Sequence, residues 1–244
     1  KGFLKAGETV IVSLAPSYPG SFSFEAPGQL ATAFQKLGFA GVSETSEGAA
    51  YVTAEYAQLV RDNTMKNIIT TCCPSVNRLV EIYYPELVDQ MAPVVSPMIA
   101  HARLLKQSIG KNIRVVFVGP CISKKDEAAD MRHDTDVDAV LTFDDMTAWF
   151  QEAGIRAEDC EEGKFLNASS KIVRMYPITN GILETLRACG DAGNYHLMSV
   201  DGIAECKDLF EAMKRGEIDH CFIEINACKG GCVNGPAKAK DSTA

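Results

Sequence analysis

Two short apolar runs, at residues 10–14 and 113–118, constrain the fold more than any other feature of the sequence. Neither run alternates polar and apolar side chains, so a strand formed by either one would be buried on both faces. Strands of this kind belong to parallel sheets that are covered by helices. Runs of similar character predict further strands at 67–71, 139–142, 196–200 and 221–225.

Segments with helical periodicity separate these strands. In the clearest segment, Pro74 suits the first helical position, apolar residues recur at helical spacing as far as Tyr83, and Pro85 ends the helix. Other helices are predicted at 29–37, 49–60, 144–152, 182–188 and 206–214. Because strands and helices alternate, the sequence predicts an α/β fold with mainly parallel sheets. No linker rich in Pro, Gly or Ser divides the chain, so two lobes, if present, are expected to interleave.

The charge balance argues against two classes of partner. The chain of 244 residues has a net charge of −8, whereas nucleic acids and anionic membrane surfaces favour a basic face. No run of about 18 apolar residues occurs, so no membrane-spanning helix is expected. Nine cysteines without a visible signal peptide indicate reduced thiols in the cytoplasm. We therefore expect a cytoplasmic protein that binds neither nucleic acid nor a membrane.

Three of the predicted strands run directly into cysteine. Cys73 follows the strand at 67–71, Cys121 follows 113–118, and Cys228 and Cys232 follow 221–225. Ligands of open α/β sheets bind beyond the carboxyl ends of the strands, so these four thiols could converge on one point. Their spacing suits a 4Fe–4S cluster better than zinc, which usually takes paired C-x-x-C motifs. On spacing alone, inert buried thiols are an equal alternative.

The adjacent Cys72 is expected to have a different role from Cys73. Neighbouring side chains in extended backbone point in opposite directions, so the two thiols are not expected to bind the same metal. Cys72 would then remain a free thiol at the start of a helix, where the helix dipole is expected to lower its pKa. Such a thiol could carry protons, although a packed thiol is the simpler interpretation when Cys72 is considered alone.

Three segments together resemble the H-cluster domain of iron-only (FeFe) hydrogenases. Residues 71–74 are similar to the first signature of that family, T-S-C-C-P. Residues 119–127 are similar to the second, M-P-C-x-x-K-K-x-E, and residues 224–235 to the third, E-x-M-A-C-x-x-G-C-x-x-G. The order and separation of the three segments also fit, and weaker matches extend the resemblance over nearly the whole chain.

The resemblance implies a fold and a cofactor. It implies two intertwined lobes, each a small, mainly parallel sheet flanked by helices, with the metal site in the cleft between them. Residues 1–244 would form one H-cluster domain. A 4Fe–4S cluster would be bound by the four cysteines Cys73, Cys121, Cys228 and Cys232. Cys232 would also bridge to a di-iron site that carries CO, cyanide and a dithiolate.

The resemblance also implies roles for residues around the cofactor. Cys72 would pass protons to and from the dithiolate, Lys124 would donate a hydrogen bond to a cyanide, and Glu55 would belong to the proton exit. The remaining cofactor-binding residues implied by the resemblance are Ala15, Pro16, Ser17, Pro97, Met98 and Asn226. The implied activity is reversible H2 oxidation and proton reduction.

Several positions depart from the family pattern. Thr71, Val76, Met98, Gly119 and Asn226 stand where the family commonly has Ser, Trp, Gln, Met and Met. Val52 and Ala92 stand where the family's proton relay has Glu and Ser, so we expect protons to use water or another route. These changes resemble divergent sensory members, and we expect a slow, regulatory hydrogenase.

Other readings and partners follow from the same residues. A non-catalytic relative used in iron–sulfur protein assembly would hold the 4Fe–4S cluster without the di-iron site, but it typically has Ala in place of Cys72. A zinc-stabilised binding module is a third interpretation.

The sequence contains no C-x-x-C-x-x-C-x-x-x-C ferredoxin motif and begins at Lys1, so we expect a removed or separate ferredoxin-like electron partner. The implied di-iron site also leads us to expect maturation proteins as partners. The other four cysteines are expected to be packing thiols: Cys160, Cys189, Cys206 and Cys221.

Overall fold

Seven strands form two separate parallel sheets in the computed structural model, which describes residues 1–133, 135–167, 170–190 and 193–238. The strands are β1 (Val10–Leu14), β2 (Gly41–Glu44), β3 (Ile68–Ile69), β4 (Arg114–Gly119), β5 (Ala139–Thr142), β6 (His196–Asp201) and β7 (Cys221–Asn226). The first sheet has the order β2-β1-β4-β5 and the second β3-β7-β6, and every pairing is parallel. The predicted α/β class is therefore confirmed.

The chain crosses between the two sheets three times. It builds β1 and β2 in the first sheet, β3 in the second, β4 and β5 in the first again, and finally β6 and β7 in the second. The two lobes are therefore intertwined, as predicted. A parallel pair needs a crossover connection, which explains why a helix lies between most consecutive strands.

Nine helices connect and cover the strands within the described residues. They are α1 (Gly2–Lys5), α2 (Pro27–Lys36), α3 (Ser46–Asp62), α4 (Pro74–Tyr83), α5 (Pro97–Ser108), α6 (Ser123–Ala128), α7 (Phe143–Glu152), α8 (Gly181–Ala188) and α9 (Ile203–Lys214). None of these helices combines the length and the hydrophobicity that crossing a membrane requires.

The buried hydrophobic residues form one cluster around the first sheet and one cluster on each face of the second. All five residues of β1 are buried, and its four apolar residues belong to a cluster that also contains residues of α2, α5 and α7. In the second sheet, alternate residues of β7 face opposite sides. Phe222 packs with α3 and α8, whereas Ile223 and Ile225 pack with α4 and α9. This pattern is that of strands buried on both faces.

Helices α3 and α5 pack against each other where the two lobes meet. A Cβ atom at Gly48 of α3 would lie 2.3 Å from the carbonyl oxygen of Pro97 and 2.7 Å from the Cβ of His101. Only glycine permits this approach, which brings the amino-terminal ends of both helices close to the carboxyl ends of the first sheet.

The structure extends the sequence prediction at a few elements. Strand β3 is only two residues long, where 67–71 was predicted, and β2 and α5 were not predicted. The sequence of β2, Gly-Val-Ser-Glu, carries one apolar side chain, yet all four residues are buried. Buried His101 similarly interrupts the apolar face of α5. Both elements bury polar side chains that are hydrogen-bonded to each other. The pattern of apolar residues therefore did not predict β2 or α5.

Candidate functional site

The carboxyl ends of strands from both sheets meet at a cavity of about 230 Å³. The segments that follow β1 and β4 line it from the first sheet, and those that follow β3 and β7 line it from the second. The amino terminus of α5 completes the wall. Of the predicted site residues, the following line this cavity: Ala15, Pro16, Ser17, Cys72, Cys73, Pro97, Met98, Cys121, Lys124, Asn226, Cys228 and Cys232.

Four cysteine side chains of the cavity lie close enough to influence one another. Within the set Cys73, Cys121, Cys228 and Cys232, the members of each of the six pairs are close enough that a thiolate at one member would raise the pKa of the other. Burial is the main cause that raises the pKa of Cys73, and burial raises the pKa of Cys228 to about 11. The thiols of Cys73 and Cys228 are therefore neutral at pH 7 unless a metal binds and displaces their protons.

The spacing of these side chains does not suit a single metal ion. In the ranges that the structure describes, no group of three or more Cys, His, Asp or Glu side chains is arranged to hold one metal ion. The thiolates that bind a 4Fe–4S cluster each contact a different iron atom, so they stand farther apart than the ligands of one zinc ion.

The loop between Cys228 and Cys232 depends on glycine. Gly230 and Gly231 have φ angles of 78° and 91°, which side chains rarely adopt. A Cβ atom at Gly231 would lie 2.5 Å from the carbonyl oxygen of Pro177. Glycine therefore allows this loop to bring both thiols to the cavity.

Cys72 remains separate from the four-thiol set. Its Sγ atom lies 3.3 Å from the hydroxyl oxygen of Tyr56, which also accepts a hydrogen bond from the backbone N–H of Thr71. Burial raises the pKa of Cys72 to about 12. The expected lowering by the helix dipole is therefore wrong, because α4 begins only after Cys73 and the apolar surroundings dominate. No sequence motif had identified Tyr56.

Lys124 places a buried positive charge at the cavity wall. Its Nζ donates to the carbonyl oxygen of Cys72 at 3.2 Å and to Oε2 of Glu127 at 2.6 Å. Burial opposes the charge, but the charge of Glu127 and the hydrogen bond to it more than compensate, so the pKa of Lys124 is raised. The ammonium therefore stays charged and connects α6 to the segment after β3.

Ser17 supplies a hydroxyl group that the protein leaves unused. Its Oγ is buried and has no hydrogen-bond partner among the described residues. Unpartnered buried polar atoms are uncommon and indicate a missing partner. Four thiols, one ammonium and one free hydroxyl around a single cavity fit an anionic iron–sulfur cofactor better than an organic molecule.

Glu55 is the one predicted site residue that the structure does not bring to the cavity. It lies on the exposed face of α3, and Val52 and Ala92 are buried apolar residues. The role of Glu55 in a proton exit therefore stays a prediction, and Val52 and Ala92 offer no proton-carrying atoms on the way to it.

Several residues of the cavity region were missed from the sequence. Thr45 and Tyr176 line the cavity, and Glu127 pairs with Lys124. Glu127 lay within the second motif and could have been singled out. Thr45 follows β2, an element that was itself not predicted. Of the four cysteines expected to be packing thiols, none lines the cavity; three are buried, and Cys189 is exposed.

Glu224 contributes to the fold around the site rather than to the cavity wall. It is buried in β7, and its Oε2 accepts a hydrogen bond of 3.0 Å from the backbone N–H of Leu183 in the first turn of α8. Burial raises the pKa of Glu224 from 4.5 to about 7. This position indicates a structural role for Glu224.

Comparison with known proteins now adds an independent line of evidence. Residues 8–236 match the family "Iron only hydrogenase large subunit, C-terminal domain". Iron hydrogenase 1 of Clostridium pasteurianum is 32% identical to the chain over 292 residues, which cover 96% of this chain and 51% of that protein. The cytosolic Fe-S cluster assembly factor NAR1 of Encephalitozoon cuniculi is 25% identical, covering 76% of this chain and 56% of that protein. The chain thus spans about half the length of these relatives.

The fold gives the same result as the family match. A solved FeFe-hydrogenase structure, described in connection with oxygen inactivation and degradation of its 2Fe subcluster, superposes with a TM-score of 0.81 at 22% sequence identity. The match covers 96% of this chain and 81% of that chain. The family match over nearly the whole length, together with a cavity lined by the signature cysteines, establishes that this chain belongs to the family of the iron-only hydrogenase large subunit, C-terminal domain.

Proposed function

We propose that this domain catalyses reversible H2 oxidation and proton reduction at a 4Fe–4S cluster bridged to a di-iron site with CO, cyanide and dithiolate ligands. The observation that carries this proposal is the composition of one cavity wall: four mutually close thiols, a fifth free thiol at Cys72, the charged Lys124 and the unpartnered hydroxyl of Ser17. A cavity that held only a 4Fe–4S cluster would not need the last three groups.

The four thiolates would bind the 4Fe–4S cluster, with Cys232 shared by the di-iron site. When bound, this cofactor would supply the cleavage and formation of the H–H bond. Lys124 and Ser17 would donate hydrogen bonds to its anionic ligands, and the charge of Lys124 would offset part of their negative charge. Cys72 would hold a proton at Sγ, beside the hydroxyl group of Tyr56. Pro16, Pro97 and Met98 would exclude water from the cofactor.

We further propose that turnover is slow and the role sensory or regulatory. Val52 and Ala92 offer no proton-carrying atoms, and Glu55 lies outside the cavity wall. Electrons would pass to and from a ferredoxin-like domain or protein, and dedicated maturation proteins would deliver the di-iron site. The nine free cysteines favour a reducing compartment such as the cytoplasm.

A second candidate function is a non-catalytic role in iron–sulfur cluster assembly. The similarity to NAR1 favours it, and so do Met98 and Asn226, which depart from the hydrogenase pattern within the cavity wall. This candidate needs the 4Fe–4S cluster but neither Cys72 nor Lys124 as a cofactor partner.

Infrared spectroscopy separates the two candidates. The protein is produced anaerobically with hydrogenase maturation proteins, and its iron and sulfide contents are measured alongside the spectrum. We expect bands from iron-bound CO and cyanide, together with H2-dependent reduction of an artificial acceptor. About four irons and four sulfides per chain without those bands would overturn the hydrogenase proposal and favour the assembly role.

A further inference from the structure

A line of polar side chains, each in contact with the next, runs from the cavity to the protein surface. Thr45 lines the cavity, and its Oγ1 lies 2.8 Å from Oγ of Ser13. Ser13 Oγ lies 2.8 Å from Nδ1 of His101, a completely buried side chain. On the other side of the imidazole, Nε2 lies 3.7 Å from Oε2 of Glu47, whose side chain is 42% exposed. We refer to these four residues, in the order Thr45, Ser13, His101 and Glu47, as the Thr45–Glu47 line.

The chemistry of its ends gives this line a direction. The Glu47 carboxylate can only accept, which favours the His101 tautomer with its hydrogen on Nε2. Nδ1 then accepts from the Ser13 hydroxyl, and Ser13 Oγ accepts from the hydroxyl of Thr45. Every hydrogen in the line therefore points outward, and Thr45 Oγ1 keeps a lone pair for a proton that arrives from the cavity. Nε2 also lies 2.9 Å from Oγ of Ser43, the nearer of its two contacts, so transfer to Glu47 requires the partly exposed carboxylate to move within hydrogen-bond distance of Nε2.

The surface end is held in place for exchange with solvent. Glu47 Oε2 accepts a hydrogen bond of 3.0 Å from the side-chain amide of Asn167, and both residues line an open surface cleft. The imidazole of His101, whose Nε2 lies 3.7 Å from the carboxylate, is the main cause that lowers the pKa of Glu47. A carboxylate that is ionised at neutral pH can accept a proton from the imidazole and release it to water.

We propose that the Thr45–Glu47 line carries protons between the cavity and solvent, a role that rests on the proposed hydrogenase function. One proton enters at Thr45 Oγ1, each oxygen or nitrogen passes its own hydrogen to the next, and one proton leaves from His101 Nε2 to Glu47. The line has no net gain or loss of charge after each residue rotates back. It offers a route where Val52 and Ala92 interrupt the one that the family resemblance implies.

Two serines of the same surroundings provide a matched test. Ser13 and Ser43 are both completely buried on neighbouring strands, and each contacts one nitrogen of His101. Ser13→Ala interrupts the Thr45–Glu47 line, whereas Ser43→Ala removes an equivalent hydroxyl and leaves the line continuous. In the matured protein, we expect Ser13→Ala and Glu47→Gln to lower turnover at least tenfold and Ser43→Ala to stay within twofold of the wild type. Infrared bands identical in all variants would establish that the cofactor is unchanged.

A second measurement needs no cofactor. In the cofactor-free protein with ¹⁵N-labelled histidine, NMR reports the tautomer of His101 and the rate at which its ring hydrogen exchanges with solvent. We expect the Nε2–H tautomer, and we expect exchange to slow at least tenfold in Glu47→Gln but not in Ser43→Ala. Packing alone does not distinguish a carboxylate from its amide in this exchange rate. Should Ser13→Ala fail to fold, Thr45→Val, which has nearly the same shape, interrupts the line at the cavity end.

The outcomes separate the two proposals. Missing CO and cyanide bands overturn the hydrogenase function, while the exchange measurement still decides whether protons move between Glu47 and His101. With the bands present, equal turnover in Ser13→Ala, Ser43→Ala and wild type overturns the route. Equal exchange rates in Glu47→Gln and wild type overturn it as well.

Discussion

The two sheets contribute different chemistry to the same cavity. The second sheet and its loops carry three of the four clustered thiols, at Cys73, Cys228 and Cys232. The first sheet contributes one thiol together with the ammonium of Lys124 and the free hydroxyl of Ser17. One lobe thus supplies most of the candidate ligands, and the other supplies most of the groups that would recognise the far side of a cofactor.

The sheets also differ in how completely their buried polar groups are paired. In the first sheet, Ser13 and Ser43 both contact His101. In the second sheet, Oγ of Ser199 and Oε1 of Glu224 are buried without a partner among the residues described. Strand β3 is only two residues long. Within the described strands, the first sheet therefore pairs its buried polar side chains more completely than the second does.

The largest expected effect is loss of the proposed 4Fe–4S cluster when a thiol of the second sheet is replaced. Cys228→Ser replaces a thiolate ligand with a poor one, and we expect iron content to fall from about four atoms per chain to less than one. Iron and sulfide analysis of anaerobically purified protein measures this effect. Cys189→Ser is the matched control, because Cys189 is exposed and does not line the cavity. Full iron content in Cys228→Ser would remove Cys228 from the ligand set.

Lys124 tests the contact between the two lobes. Lys124→Met leaves the buried carboxylate of Glu127 unpaired, and removing one partner of a buried ion pair costs about 3–5 kcal/mol of unfolding free energy. Its neighbour Lys125 pairs with Asp145 at the exposed surface, where such pairs contribute less than about 1 kcal/mol. Urea unfolding of the cofactor-free variants Lys124→Met and Lys125→Met compares the two. Equal stability losses would contradict the buried role of Lys124.

Glu224 tests the incomplete pairing in the second sheet. Because its pKa is raised from 4.5 to about 7, the folded protein binds this proton more tightly than the unfolded chain does. The stabilisation is complete below about pH 4.5 and is lost as the pH rises through 7, amounting to roughly 3 kcal/mol. In Glu224→Gln this contribution disappears.

The measurement is urea unfolding of the cofactor-free protein between pH 5 and 8. The difference in unfolding free energy between wild type and Glu224→Gln should change steadily across this range. The wild type should become less stable relative to the variant as the pH rises. A difference that stays constant with pH would mean that Glu224 ionises normally in the folded state.

The sequence predicted the residues that line the cavity better than the surrounding residues that hold them in position. The cysteines were singled out because they follow predicted strands, and the family resemblance added Lys124 and Ser17; all of them line the cavity. Tyr56 and His101 come from helices, and their position depends on how α3 and α5 pack across the lobes. That packing rests on Gly48 and on hydrogen bonds between distant residues, which no local pattern records.

The smallest expected effect concerns the loop between two thiols of the second sheet. Gly216 and Gly231 both have positive φ angles, 75° and 91°, but only Gly231 faces a close neighbour, the carbonyl oxygen of Pro177. Gly216→Ala should cost about 1 kcal/mol for its backbone conformation alone. Gly231→Ala should cost about 1–2 kcal/mol more, because the loop must move away from Pro177. Urea unfolding of both cofactor-free variants measures the difference, and iron analysis should reveal weaker cluster retention in Gly231→Ala only. Equal unfolding free energies would mean that the loop tolerates displacement, and the thiols that it carries would then be less rigidly placed than those of Cys73 and Cys121.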